Sequence, residues 1–380
     1  MRQKLTFISL LLLALFVTTG RNALASTTWY VDGVKGSDGN SGTTAATAYR
    51  TIGLAIHYAA SGDSIVVAPA TYTEHLSIGI NLTIVGSNAW TTVIDGGNSN
   101  SVVSITSASA NVSLSQLTIR NGLGLTHGGG GIYNLGTLTI TNTTVSGNSS
   151  NDSSTATAGL GGGIYNGRTL TVLDSTVSGN TVTRSRMGAI PLGAGIYNTG
   201  KLTVANSTIT ANQVSDFWPA GAPFGGGIAS VSGSVTISSS TLSQNGAIIH
   251  TPYGTYATYG GGVYNKAATG VTFQNTVLGS NTLGGNCYGT ISSLGYNVSS
   301  DTTCTGFTSA GDKNSVNPVL GALQNNGGPT NTIALGTGSP AMNAGNPNGC
   351  TDGRGNRLMT DQRGVARPAT GACDVGSYQH

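Results

Sequence analysis

The sequence predicts an all-β chain wound as a parallel β-helix, a solenoid with a short helical N-terminal cap and an irregular, disulfide-bearing C-terminal cap. Three observations predict it. A Gly-rich motif recurs at nearly constant spacing, the residues around it alternate apolar and polar, and the composition is that of a packed but weakly charged chain. Of 380 residues, 8% are charged, 38% are hydrophobic and 59 are glycine. Disorder would need high net charge and few apolar residues. Collagen would need glycine at every third position, a register that is absent here.

Residues 1–25 read as a secretory signal. Arg2 and Lys4 form a positive n-region, Leu5 to Val17 is apolar, and Ala23-Leu24-Ala25 has the small-x-small form of a cleavage site, so Ser26 should begin the mature chain. Removing Arg2, Lys4 and Arg21 with this segment leaves 13 basic against 13 acidic residues. A neutral chain has no electrostatic footprint for nucleic acid, and no later run is long and apolar enough for membrane insertion. A secreted or cell-surface monomer is the expectation.

Residues 26–62 read as the N-terminal cap. Within them Ile52, Ala55, Ile56 and Ala59 repeat at helical spacing, which predicts a helix over 51–60. Such a cap covers the unpaired strand edge that an open coil would expose.

Residues 63–285 hold the repeat. The motif GGGIYN and its variants place Ile132, Ile164, Ile196, Ile228 and Val263 at spacings of 32, 32, 32 and 35. A second block follows each copy, as in LTITNTTVSGN at 138–148 and LTVLDSTVSGN at 170–180. Leu138, Ile140 and Val145 alternate with threonine and serine, the pattern of short half-buried strands, and three such strands make one repeat. One unit cannot bury its apolar face alone. Stacking units about 4.8 Å apart does so, and turns the five aliphatic residues into one internal column. Tyr133, Tyr165, Tyr197 and Tyr264 then form an outer aromatic row. Two asparagine columns, Asn134/Asn166/Asn198/Asn265 and Asn148/Asn180/Asn212/Asn245/Asn281, are expected as turn residues with left-handed backbone that bond from coil to coil. Asp174 falls in a third column, with Asn142, Asn206, Ser239 and Asn275.

Residues 286–380 read as a separate C-terminal module carrying all four cysteines. Four cysteines allow three pairings. The sequence-local one, Cys287–Cys304 with Cys350–Cys373, is the expectation for an exported chain. No close Cys-x-x-Cys pair with a neighbouring histidine suggests zinc.

Several of these segments resemble known proteins. WYVDGVKGSDGNSGT and GDSIVVAPATYTEHL are similar to the N-terminal cap of pectate-lyase-like right-handed parallel β-helix proteins. The GGGIYN repeats resemble those of secreted and surface β-helix proteins. SLGYNVSSDTTC (293–304), NPVLGALQNNGGPTNTIALGTGSPAMNAGN (317–346) and TDQRGVARPATGACDVGSYQ (360–379) resemble the choice-of-anchor Q domain. The resemblance implies a right-handed winding and an extracellular location. It leaves function open, because one fold hosts enzymes and binders alike.

A glycosidase needs two carboxylates at a set separation. Between residues 100 and 285 only Asp152, Asp174 and Asp216 are acidic, at unrelated positions of the repeat, and Glu74 is the sole glutamate. A uronate lyase would need cations and a base. Arg168, Lys201 and Lys266 share one turn, with no acidic calcium cluster beside them. No cofactor is expected, and Asp32 and Asp38 are the one place a calcium ion is considered. The Asp361-Gln362-Arg363-Gly364 run, with Arg367, reads as a salt-bridged turn of the cap.

The strongest recognition signal is a set of insertions, 149–160, 181–192, 213–224 and 246–259, which leave one edge of the stack. They bring Arg184, Arg186, Phe217, Trp218, Phe224, Tyr253, Tyr256 and Tyr259. Grouped aromatics suit sugar rings or a protein surface, or else fold down over the outer sheet. The leading expectation is a non-catalytic adhesin-like or carbohydrate-binding protein whose partner is a polysaccharide or a surface protein. The alternative is a polysaccharide lyase or glycosidase.

Overall fold

The computed structural model describes residues 26–380 apart from 126, 152–158, 185–189, 218–222, 252–253, 282 and 353–354. The expected signal, 1–25, and Asp152 lie outside the described residues. The chain is a right-handed parallel β-helix whose walls are sheets of ten, nine and eight parallel strands. Each repeat gives one strand to each wall, and the copies pair in register. Ile132 pairs with Ile164, Ile196 with Ile228, and Ile228 with Val263. The second block pairs Leu138 with Leu170, and the third pairs Val145 with Val177. All these aliphatic residues are fully buried, forming one continuous core along the axis.

The repeat holds one strand more than expected. The insertions open with strands at Ser149–Asn151, Thr181–Arg184, Gln213–Asp216 and Gly246–Thr251, part of a six-stranded fourth sheet. Val182 and Val214 point inward from it, with Ala194, as a small second core.

Both asparagine columns are buried, and they run through the interior. Nδ2 of Asn148 donates to Oδ1 of Asn180 at 3.0 Å, and the relay continues through Asn212, Asn245 and Asn281 to Asn286. Asn134, Asn166 and Asn198 form a shorter relay that ends on Ser230. The left-handed backbone expected of them falls elsewhere. It belongs to the residue before each Asn148-type position (Gly147, Gly179, Ala211, Gln244, Ser280) and to the Asn142/Asp174/Asn206 column. Each turn needs one residue at positive φ, and the buried amide beside it is free to serve as a coil-to-coil bond.

The N-terminal helix spans Ile52–Tyr58 and lays Ile52 and Ala55 over the open end of the core. Glu74 accepts hydrogen bonds from the Ile52 and Gly53 amides at 2.9 and 2.7 Å, satisfying orphan donors at the helix start. Thr28–Val31, inside the expected cap, already joins the ten-stranded wall. At the other end the stacking runs past residue 285, with strands at Cys287–Tyr288, Ile291–Ser293 and Val298–Ser299.

The rest of the chain contains only one hairpin, Leu320–Gln324 with Thr332–Leu335, among its described strands. It folds back along the outside of the nine-stranded wall. Disulfides join Cys287 to Cys304 and Cys350 to Cys373. Buried Gln362 accepts from the Thr208 hydroxyl at 2.7 Å and donates to the Thr176 hydroxyl at 2.8 Å. Arg367 donates to Asn206 at 2.8 Å, and Arg363 pairs with Asp361 at 2.7 Å. The Asp-Gln-Arg-Gly run is thus a buried, salt-bridged turn against the wall.

Candidate functional site

The outer face of the eight-stranded wall carries the site. Its register row reads Ser77, Ser104, Tyr133, Tyr165, Tyr197, Ala229, Tyr264 and Tyr288. Tyrosines one coil apart bring their rings together, at 5.0 Å for Tyr133 and Tyr165 and 5.3 Å for Tyr165 and Tyr197. Tyr264 and Tyr288 stack at 5.4 Å. Ring faces inside the row are therefore turned to other rings. The row stops at two places.

The first is below Tyr133. There the row changes to Ser104 and Ser77, and a depression of about 380 Å³ opens, lined also by His75, Thr106 and His127. His127 lies against the Tyr133 ring at 5.7 Å. His75 meets the Ser101 carbonyl oxygen at 3.0 Å through Nδ1 and the Ser99 hydroxyl at 2.9 Å through Nε2. A carbonyl only accepts, so Nδ1 is the donor. Hydroxyls, an asparagine and two imidazoles, interleaved with Leu76, Leu123, Leu125 and one aromatic wall, give this cup hydrogen-bonding groups on a partly apolar floor.

The second break is Ala229, the copy that reads Ile-Ala-Ser. At its level Phe224 lies parallel to the Tyr264 ring at 4.5 Å, and Tyr259 stacks beside Phe224 at 6.1 Å. A cavity of about 330 Å³ is lined by Tyr197, Phe224 and Tyr264 together with Ile190, Leu192, Val231 and Lys266. Burial raises the Tyr197 hydroxyl to about 12, with Tyr165 adding to the shift, and burial likewise raises Tyr264. Both stay neutral donors.

The structure separates the aromatics of the insertions. Phe224 and Tyr259 lie on the tyrosine row. Phe217, 54% exposed, stacks on His250 at 4.7 Å. Tyr256 sits exposed on the hairpin Gly246–Thr251/Gly254–Ala257. Arg184 ends a strand of the fourth sheet. Arg186, Trp218 and Tyr253 lie outside the described residues.

Carboxylates line neither break among the described residues. Most are occupied elsewhere. The amides of Lys35 and Val34 hold the Asp32 carboxyl below the ordinary carboxylate range, and Asp38 accepts from the Arg50 and Thr51 amides. No group of three His, Cys, Asp or Glu able to hold a metal occurs among the described residues, so nothing there builds on the calcium considered at Asp32 and Asp38. Asp63 is pushed up by burial. Bonds from the Trp29 indole and the Thr27 and Ala60 amides outweigh that and hold it low. Arg168 and Lys201 are exposed on their ridge, and of that trio Lys266 alone reaches a cavity. No helix among the described residues is long and apolar enough to cross a membrane.

The tyrosine row was legible in the sequence. The cup was not. His75 belongs to the first coils and His127 to the approach to the first Gly-rich motif, and only the winding brings them to one depression.

No protein-family model matches the chain, and no curated protein matches it in sequence. Among solved structures it is similar to a pectate lyase, Pel9A, at 13% identity and a TM-score of 0.45, covering 94% of this chain and 98% of that one. It is also similar to the pectin methylesterase PemA from Erwinia chrysanthemi, at 13% identity and a TM-score of 0.30, covering 70% of this chain and 82% of that one. Likeness at this level says nothing of substrate.

Proposed function

We propose that this is an exported glycan-binding protein that holds an extracellular polysaccharide along the outer face of its eight-stranded wall. The observation that carries the reading is the cup below Tyr133. Serine and threonine hydroxyls, Asn100 and two imidazoles share its lining with Leu76, Leu123 and Leu125, and the row of rings begins at its edge. Sugars need both features, donors and acceptors for their hydroxyls and a ring for their apolar face. Two disulfides with no free cysteine suit an oxidising, extracellular compartment. The helical cap over the coil end supports a monomer. A choice-of-anchor Q role for residues 286–380 is part of the proposal, supported by their disulfide-pinned packing on the wall. The surface-protein, adhesin-like alternative has no comparable observation behind it.

The test is calorimetric titration of the secreted chain with neutral, acidic and pectic oligosaccharides. Ser104→Tyr extends the ring row across the cup and should reduce affinity at least tenfold with unchanged circular dichroism. Tyr133→Ala should do the same from the other side. Absence of binding across the panel, or binding indifferent to both substitutions, overturns the reading. Release of unsaturated uronides or reducing ends in the same incubations would instead favour the lyase or glycosidase alternative.

A further inference from the structure

The cavity at Ala229 is chemically unlike the cup below Tyr133. Its walls are Leu192, Val231 and the rings of Tyr197, Phe224 and Tyr264, and its one charged group is Lys266. Phe224 stands at the level of Ala229, bridged to Leu192 one coil below and to Tyr259 one coil above, and Tyr197 lines the cavity from the lower coil. Phe224 and Tyr264 lie within 9° of parallel on the far side. The registers of Tyr197 and Tyr264 are two coils apart, about 9.6 Å at the usual strand spacing. A sugar buried here would find two phenol hydroxyls and one ammonium for its many hydroxyl groups, leaving most of them unpaired. A flat apolar ring loses nothing by entering, and a single negative charge on it would meet Lys266.

We propose that this cavity is a binding site for a small aromatic carboxylate, with the ring on the apolar wall of Leu192, Val231 and Phe224 and the carboxylate at the Lys266 ammonium. Its volume, about 330 Å³, lies at the lower end of the range of ligand pockets and suits a one-ring acid. The neutral tyrosine hydroxyls add no opposing charge. The site is independent of the glycan reading, since the cup lies several coils away on the same face.

The experiment is titration of the full secreted chain with cinnamate, with cinnamamide and galacturonate as controls, followed by calorimetry and tyrosine fluorescence. Cinnamate should bind saturably at one site. Cinnamamide should bind about tenfold more weakly, and Lys266→Gln should bring cinnamate down to the same level. Val231→Phe, which fills the cavity from a half-buried position, should abolish binding. Should that variant fail to fold, Leu192→Phe fills it from another half-buried position. Equal binding of cinnamate and cinnamamide, galacturonate binding as tight as cinnamate, or cinnamate binding unchanged in the filled variant would each overturn the proposal. Loss of glycan binding in Ser104→Tyr with cinnamate binding intact would keep the two sites distinct.

Discussion

Two outer faces of the same coils have opposite fates. On the eight-stranded wall the outward residue is mostly tyrosine, and the face keeps its breaks open as a cup and a cavity. On the nine-stranded wall the outward residues are threonine and serine, and the returning C-terminal chain covers them. The cover begins sharply. Thr144 and Ser146 are half-buried, whereas Thr176 and Ser178 and their counterparts in the next two coils are buried. Rings satisfy one another without any partner chain. Buried hydroxyls need hydrogen bonds, and the cover supplies them through Gln362, Ser377 and the Asn331 carbonyl. It does so incompletely, since the Thr210 and Ser243 hydroxyls are buried without a partner. A binding face can therefore be built from residues that do not require covering, and a docking face from residues that do.

The largest effect should come from the residue that separates inside from outside. Ile164→Asp places an unpaired carboxylate in the fully buried column and should cost several kcal/mol, enough to eliminate soluble secreted protein. Secretion yield reports it directly. If it were no worse than Tyr165→Ser, the inward–outward assignment would fail.

Next, the cover is held by its own cross-link. Replacing both Cys350 and Cys373 with alanine should lower stability by roughly 3 kcal/mol on the chain-entropy scale for a loop of 23 residues. In urea unfolding, hydrogen-exchange protection should fall at the cover's own amides, Gln362, Arg367 and Val375, before the coil-to-coil amides of the aliphatic column open. Uniform loss along the whole stack would show that cover and coils are one cooperative unit.

Asp174 sharpens the same boundary. Burial under the cover raises its carboxyl to about 6, against the lowering bond from Asn206 and the Arg367 charge. A raised acid pKa means the folded state holds its proton more tightly than the unfolded chain. Stability linked to this group therefore rises as pH falls through about 6 and levels off below the unfolded value near 4. Asp174→Asn, which restores the amide found at Asn142, Asn206 and Asn275, should stabilise by about 2 kcal/mol at pH 7.5 and by little at pH 4. Denaturant midpoints at the two pH values decide it. Equal gains at both would point to packing rather than ionisation.

The smallest effect belongs to the open face. Tyr165→Ser removes ring contacts to Tyr133 and Tyr197 and should cost about 1 kcal/mol, read as a shift of about 1–2 °C in the melting midpoint.

The sequence by itself determined the winding. A repeat of 32 residues with period-two blocks leaves one way to bury Ile132, Ile164 and Ile196, and the columns and the outer tyrosines follow from it, while the helical spacing of Ile52, Ala55, Ile56 and Ala59 marks the cap. The local cysteine pairing was legible for a similar reason, since each loop is short. The fourth strand escaped notice because segments such as Thr181–Arg184 offer too few inward residues for a period to register. What only the tertiary structure decided are contacts that no local pattern encodes. Gln362 meets Thr208 across 154 positions of sequence, and Phe224 turns down onto Tyr264 instead of outward to solvent. Period and spacing report which face of a strand a residue occupies. They do not report what lies against that face, because that depends on the path of chain segments whose own sequence carries no repeat.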